Sequence, residues 1–144
     1  MVLEDPGYLG ARCAFLSQGA QLYPVAVDES GLMVKDLAHC PEPIKLVYVT
    51  PSHQFPTGAV LSLPRRLELL TWAQQAGAMI IEDDYDSEYR YVDRPIPALQ
   101  GLEQSGSAIY VGTFSKTMLP TVRTGFVLSP ATLRPALVAV ADPE

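Results

Sequence analysis

Four short runs constrain this chain more than anything else in it: "KLVYVT" (45–50), "AMIIE" (78–82), "AIYVG" (108–112) and "GFVLS" (125–129). Each is apolar at consecutive positions, with β-branched or aromatic side chains among them. A strand with one face in water alternates, whereas a strand covered on both faces does not. Between the first two runs lies a helical pattern over 63–75, with Leu63, Leu67, Leu70 and Ala73 or Gln74 on one face. Pro64 falls in its first turn, where a missing N–H costs nothing, and Gly77 supplies the stop. Buried strands alternating with a helix predict an α/β fold, a mostly parallel sheet flanked by helices.

The earlier part of the chain fits that scheme. The first residues look like the end of an inner strand, and "YLGARCAFLSQG" reads as a short helix stopped by Gly19. "LYPVAV" reads as a strand whose Pro24 points to an edge position or a late start. "DESGL", "CPEP" and "PSHQFPTG" are turn or loop segments.

At 144 residues, the chain has the size of one domain and can bury about 70% of its unfolded surface. No apolar run approaches the roughly 20 residues that span a bilayer, and "MVLEDPGY" lacks the parts of a signal peptide. A cytoplasmic address without membrane association is the expectation. Cys13 and Cys40 form no CxxC pair and read as ordinary reduced thiols. The net charge is −6 and basic residues come at most in pairs, so no cationic stripe exists to neutralise a phosphate backbone.

Open parallel sheets collect ligands beyond the carboxyl ends of their strands. The informative polar residues are therefore those at 50–58, 83–88 and 113–116. In "IIEDDYDSEY", Glu82, Asp83, Asp84 and Asp86 crowd the end of a buried strand. Extended backbone sends Asp83 and Tyr85 to one face and Asp84 to the other. A solvated acidic loop is the plain alternative. A calcium loop starting at Asp84 fails, because Tyr89 stands at its glycine position and Pro95 at its glutamate position. Asp84 and Asp86 also match the Asp-x-Asp of haloacid dehalogenase-type phosphatases. That pair belongs on a first strand, however, and here it comes late. His39 and His53 sit at no ligand spacing for zinc and read as surface or loop residues.

Lys116 is placed between two core-bound segments, among small hydroxyl residues, in "YVGTFSKTMLPTVRTGF". Desolvation and a neighbouring cation such as Arg123 favour the neutral amine, the form that condenses with carbonyl groups. Thr113, Ser115 and Arg123 make a plausible anion site. An exposed loop lysine is the alternative on local sequence alone. Taken jointly, a carboxylate after one strand and a lysine, hydroxyls and an arginine after the next meet the demands of pyridoxal 5′-phosphate.

These segments resemble fold-type I pyridoxal-phosphate enzymes, aminotransferase classes I and II. More narrowly, "EDPGY", "TPSHQFPTG", "IIEDDYDSEYRY" and "YVGTFSKTMLPTVRTGFV" are similar to the aminotransferase-like domain of MocR-type transcriptional regulators of the GntR superfamily. The resemblance spans residues 4–128. It implies Lys116 as the lysine that carries the cofactor aldehyde as an imine. It further implies Asp83 on the pyridine nitrogen, Tyr85 on the ring's phenolic oxygen, and Thr113, Ser115 and Arg123 on the phosphate. Tyr8 and His53 fall on the substrate side. Aminotransferases carry Asn before the Pro-x-Gly turn, where this chain has Phe55; His53 or Gln54 are the candidate substitutes, and the "HQFP" form favours the regulators.

The family's upstream phosphate loop, its small domain and the regulators' winged-helix domain are not found in residues 1–144. The expectation is a partial large domain whose cofactor site is incomplete in isolation, and whose intact protein is a homodimer. That protein would take an amino acid or amine ligand and touch DNA only through a domain absent from this chain. A true amino acid aminotransferase is the alternative.

Overall fold

A computed structural model describes residues 1–40, 43–86, 96–114 and 124–141. Its strands are β1 (Val2–Asp5), β2 (Tyr23–Asp28), β3 (Gly31–Leu32), β4 (Leu46–Val49), β5 (Met79–Asp84), β6 (Ala108–Thr113) and β7 (Gly125–Leu128). They form one sheet in the order β3-β2-β1-β4-β5-β6-β7. Neighbours from β2 to β6 pair in parallel, and the outermost pairs, β2 with β3 and β6 with β7, are antiparallel. The α/β expectation holds, with a short antiparallel strand closing each edge.

The four apolar runs became β4 to β7, and the first residues became the inner strand β1. β7 departs from the expectation of a strand covered on both faces: it is an antiparallel edge strand, and among the described residues Val127 and Leu128 are about half exposed. Pro24 sits opposite Leu3. β3 pairs only with Val27 and Asp28, so the β2 backbone around Pro24 has no described strand on its outer side. A residue without an N–H is tolerated at that position.

The helices are α1 (Leu9–Ser17), α2 (Leu63–Ala76), α3 (Leu99–Leu102) and α4 (Arg134–Ala141), with a 3₁₀ segment over Val34–His39. α1 packs Ala11 and Phe15 against Leu3, Tyr48 and Ile81 on one face of the sheet. α2, α3 and the 3₁₀ segment cover the other face, where Val47, Val49 and Ile80 meet Leu69 and Leu99. α2 ends at Gly77, whose left-handed backbone (φ 61°) returns its N–H to the Ala73 and Gln74 carbonyls.

The buried stripe of α2 differs from the one its leucines suggest. Leu63 and Leu67 are 41% and 48% exposed, and the buried residues are Arg66, Leu69 and Ala73. The cause is a charge. Arg66 is 1% exposed and forms an ion pair with the fully buried Glu82 of β5 (3.6 Å). Its three nitrogens also donate to the carbonyls of Leu61 (2.9 Å), Pro51 (2.9 Å) and Pro97 (3.0 Å). Glu82 accepts in turn from the Leu99 and Gln100 amides at the start of α3 (2.9 and 3.0 Å). Satisfying both ions rotates the helix away from its leucine-rich side.

Breaking a buried pair from one side strands the other charge, at a cost of about 3–5 kcal/mol. Arg66→Leu should lower unfolding stability by that amount in urea titrations. Arg65→Ala, which removes an ion pair with the exposed Asp28, should be clearly milder.

Candidate functional site

The carboxyl ends of β1, β4, β5 and β6 lie side by side, and of the candidate residues, Tyr8, His53, Asp83, Tyr85 and Thr113 lie at these strand ends or follow them. The pleat of β5 separates its acids as the alternation predicts. Asp83 faces the α1 side, and its carboxylate accepts a short hydrogen bond from the Tyr48 hydroxyl. Asp84 faces the other way and accepts from the Tyr110 hydroxyl (2.8 Å). Tyr48 stands level with Ile81 in the β4–β5 register, so its ring runs along the sheet to reach Asp83.

Burial pushes the Asp83 carboxyl above the usual carboxylate range; the Tyr48 hydrogen bond pulls it back, and the Asp84 charge adds to the rise. Burial likewise raises the Tyr48 phenol, reinforced by the Asp83 carboxylate to which it donates. Tyr85, in the turn after β5, is raised mainly by burial and further by Asp86, Asp83 and Glu4.

Three segments distant in sequence meet one another at this end of the sheet through aromatic edges. Tyr8 meets Phe55 (centroids 5.7 Å apart), and Phe55 and His53 each meet Tyr85 (6.3 Å). Such edge-to-face pairs suit ring quadrupoles. A shallow cleft lined by Leu3, Glu4, Gly7, Tyr8, Arg12 and Tyr48 opens beside them. The structure therefore brings together Asp83, Tyr85, Tyr8 and His53. Thr113 ends the adjacent strand β6. Ser115, Lys116 and Arg123 lie outside the described residues.

Of the two candidate substitutes for the Asn of aminotransferases, Gln54 is consumed by the scaffold. Its amide nitrogen donates to Glu4 (3.2 Å) and to the carbonyls of Pro6 (2.8 Å) and Phe55 (2.7 Å). Its amide oxygen accepts from the Thr57 amide (3.1 Å) and hydroxyl (2.7 Å). His53 instead borders Tyr85.

Sequence reading passed over Glu4 and Tyr48. Glu4 is buried, and one of its oxygens accepts from the Thr50 hydroxyl (2.7 Å), the Thr50 amide (3.1 Å) and Gln54. This ties "EDPGY" to "TPSHQFPTG". Both residues had a signal: Glu4 is an acid that directly follows the apolar Val2 and Leu3 of an inner strand, and Tyr48 carries the one hydroxyl within Leu46–Val49.

The residues at this sheet edge fit a cofactor with a protonated ring nitrogen. Asp83 is a half-buried carboxylate with one hydrogen-bond donor among the described residues, and it stands beside aromatic side chains that can border a flat ring.

A protein-family description, aminotransferase class I and II, matches residues 2–143. The probable rhizopine catabolism regulatory protein MocR of Rhizobium meliloti is 47% identical over 131 residues, covering 91% of this chain and 26% of that protein. The 2-aminoadipate transaminase of Thermus thermophilus is 34% identical over 137 residues, covering 90% of this chain and 34% of that protein. Among solved structures, the Thermus thermophilus α-aminoadipate aminotransferase complexed with N-(5′-phosphopyridoxyl)-L-leucine superposes with a TM-score of 0.90 at 31% identity. It covers 99% of this chain, which spans 39% of that one.

Burial raises the Glu4 carboxyl most strongly, against the hydrogen bonds from Thr50 and Gln54 that lower it. A group whose folded-state pKa is raised contributes stability that is fully present below its unfolded pKa and lost as pH rises through the folded one. Glu4→Gln carries no such titration. Urea unfolding from pH 4 to 8 should show wild-type stability falling relative to Glu4→Gln as pH increases.

Proposed function

The chain belongs to the aminotransferase class I and II family, and on that footing we propose that it is the cofactor-holding part of the effector domain of a MocR-like transcriptional regulator. The supporting observation is that its identity to such a regulator clearly exceeds its identity to a transaminase, over nearly the same stretch of chain. Phe55 before the Pro-x-Gly turn, with Gln54 locked into the scaffold, agrees with that reading.

Pyridoxal 5′-phosphate supplies an aldehyde that takes up amines and a ring that withdraws electrons from them. In this reading Asp83 holds the proton of the ring nitrogen, and Tyr85 hydrogen-bonds the ring oxygen. Thr113, Ser115 and Arg123 hold the phosphate, and the Lys116 amine holds the aldehyde until an incoming amino acid or amine replaces it. Tyr8 and His53 border the side from which that ligand enters. The complete protein is a homodimer that answers the ligand by altering its DNA contacts through a separate domain, in the cytoplasm.

A transaminase is the second reading, favoured by the close superposition on a solved aminotransferase. There Lys116, once released, moves the proton at the substrate α-carbon as general base.

The test uses the complete protein. Reduction of its pyridoxal-phosphate complex with borohydride should fix the cofactor on Lys116, read by peptide mass spectrometry. Lys116→Ala should abolish the visible absorbance. A retained band overturns the assignment, and sustained conversion of an amino acid and a 2-oxo acid overturns the regulator in favour of the enzyme.

A further inference from the structure

Asp83 does not stand at the carboxyl end of β5 unsupported. Among the described residues its one hydrogen-bond partner is the Tyr48 hydroxyl. Tyr48 is 6% exposed, with the edge of Phe15 against its ring (5.9 Å, 67°) and Leu3, Ala11 and Ile81 around it. We propose that Tyr48 is the positioning residue for Asp83, occupying one carboxylate oxygen so that the other is the one presented to a ring N–H. This rests on the cofactor reading above and names a further residue of that same site.

The electrostatic setting gives the contact a second task. Glu4 from β1 and Asp84 from β5 bring negative charge close to Asp83, and Tyr85 and Asp86 follow in the turn after β5. On β6 the residue in register is Val111, which offers no charge. Tyr8 and Arg12 lie across the cleft from Tyr48. Burial and like charge favour the protonated acid, which is of no use as a counter-ion. A hydroxyl donor binds the ionised form more strongly than the neutral acid and so opposes both. The phenol is suited to this because burial and the acids around it keep it protonated.

The test compares wild-type protein with Tyr48→Phe, which keeps the ring packing and removes the donor. In the complete apoprotein, carbon NMR of labelled aspartate should show the Asp83 carboxyl titrating at higher pH in the variant. With pyridoxal 5′-phosphate added, affinity at neutral pH should fall on the order of tenfold, the weight of one hydrogen bond to a charged group. The acid limb of the affinity–pH profile should move to higher pH, because Asp83 must be ionised to bind. Replacing Tyr48 with 3-fluorotyrosine, a stronger donor, should shift the carboxyl titration the other way. An unmoved Asp83 titration in both variants overturns the proposal. A moved titration with unchanged cofactor affinity also overturns it, and then the fault lies in the cofactor assignment, not in the Tyr48–Asp83 contact.

Discussion

Three carboxylates in succession, Glu82, Asp83 and Asp84, end a strand that the sheet buries, and the way the pleat distributes them governs much of the rest. Charges this close repel, and each is costly to desolvate without a partner. Extended backbone solves the first problem by alternation: Glu82 and Asp84 go to the α2 side and Asp83 to the α1 side. The second problem is met by a different partner for each acid, although Oδ1 of Asp84 stays buried without a hydrogen bond among the described residues. Glu82 takes Arg66 and the first amides of α3, Asp84 takes Tyr110, and Asp83 takes Tyr48. Because Arg66 must turn inward to meet Glu82, α2 settles with two leucines facing solvent. Because Leu99 and Gln100 supply amides, α3 is anchored over the same strand. One strand end thus fixes the orientation of two helices.

The α1 side is organised differently, by hydrogen bonds that converge on Glu4. Thr50 and Gln54 both donate to it, and Gln54 also donates to the backbone carbonyls of Pro6, after β1, and of Phe55, after β4. The loop after β4 is thereby held against the loop after β1, and the rings of Tyr8, Phe55 and Tyr85 close over the junction. A buried glutamate is an expensive means of joining two loops, and it is effective because its oxygen is saturated with donors. The arrangement holds Asp83 within a rim of fixed composition, which a site that must recognise a flat ring requires.

The inner strands β4, β5 and β6 were legible from the sequence because buried strands leave a local signature: continuous apolar runs bounded by Gly, Pro and polar residues. The two outer strands were not: β3 lies in a segment that reads as a turn, and β7 carries the apolar run yet stands exposed at the edge. The split of Asp83 from Asp84 was legible too, since it depends only on backbone geometry. The buried face of α2 was not. Its leucines carry the familiar spacing, but the decisive partner of Arg66 is sixteen residues away on another element, and local periodicity carries no trace of it. Tyr48 and Glu4 escaped for the same reason. Each looks like an ordinary member of its strand until tertiary structure places Asp83 or Thr50 within reach. The fate of Gln54 needed the fold as well: a free amide and a saturated one are identical in sequence.

These contacts also bear on how a single scaffold can serve both regulators and transaminases. The features that this chain builds firmly, the Tyr48–Asp83 pair and the Glu4 network, would support the proposed ring at its nitrogen and hold the loops around it, whatever the ring later reacts with. The position that departs from the enzymes, Phe55, is a rim residue that makes ring contacts and donates nothing from its side chain. Substituting an aromatic edge for a polar amide there changes the polarity next to the ring oxygen and leaves the support of the ring nitrogen untouched. In the proposed site Tyr85, flanked by Phe55 and His53, would be the donor to the ring oxygen among the described residues. In the regulator reading the residues would only have to hold the cofactor while one amine replaces another, whereas in the transaminase reading Lys116 would also have to move a proton at the substrate.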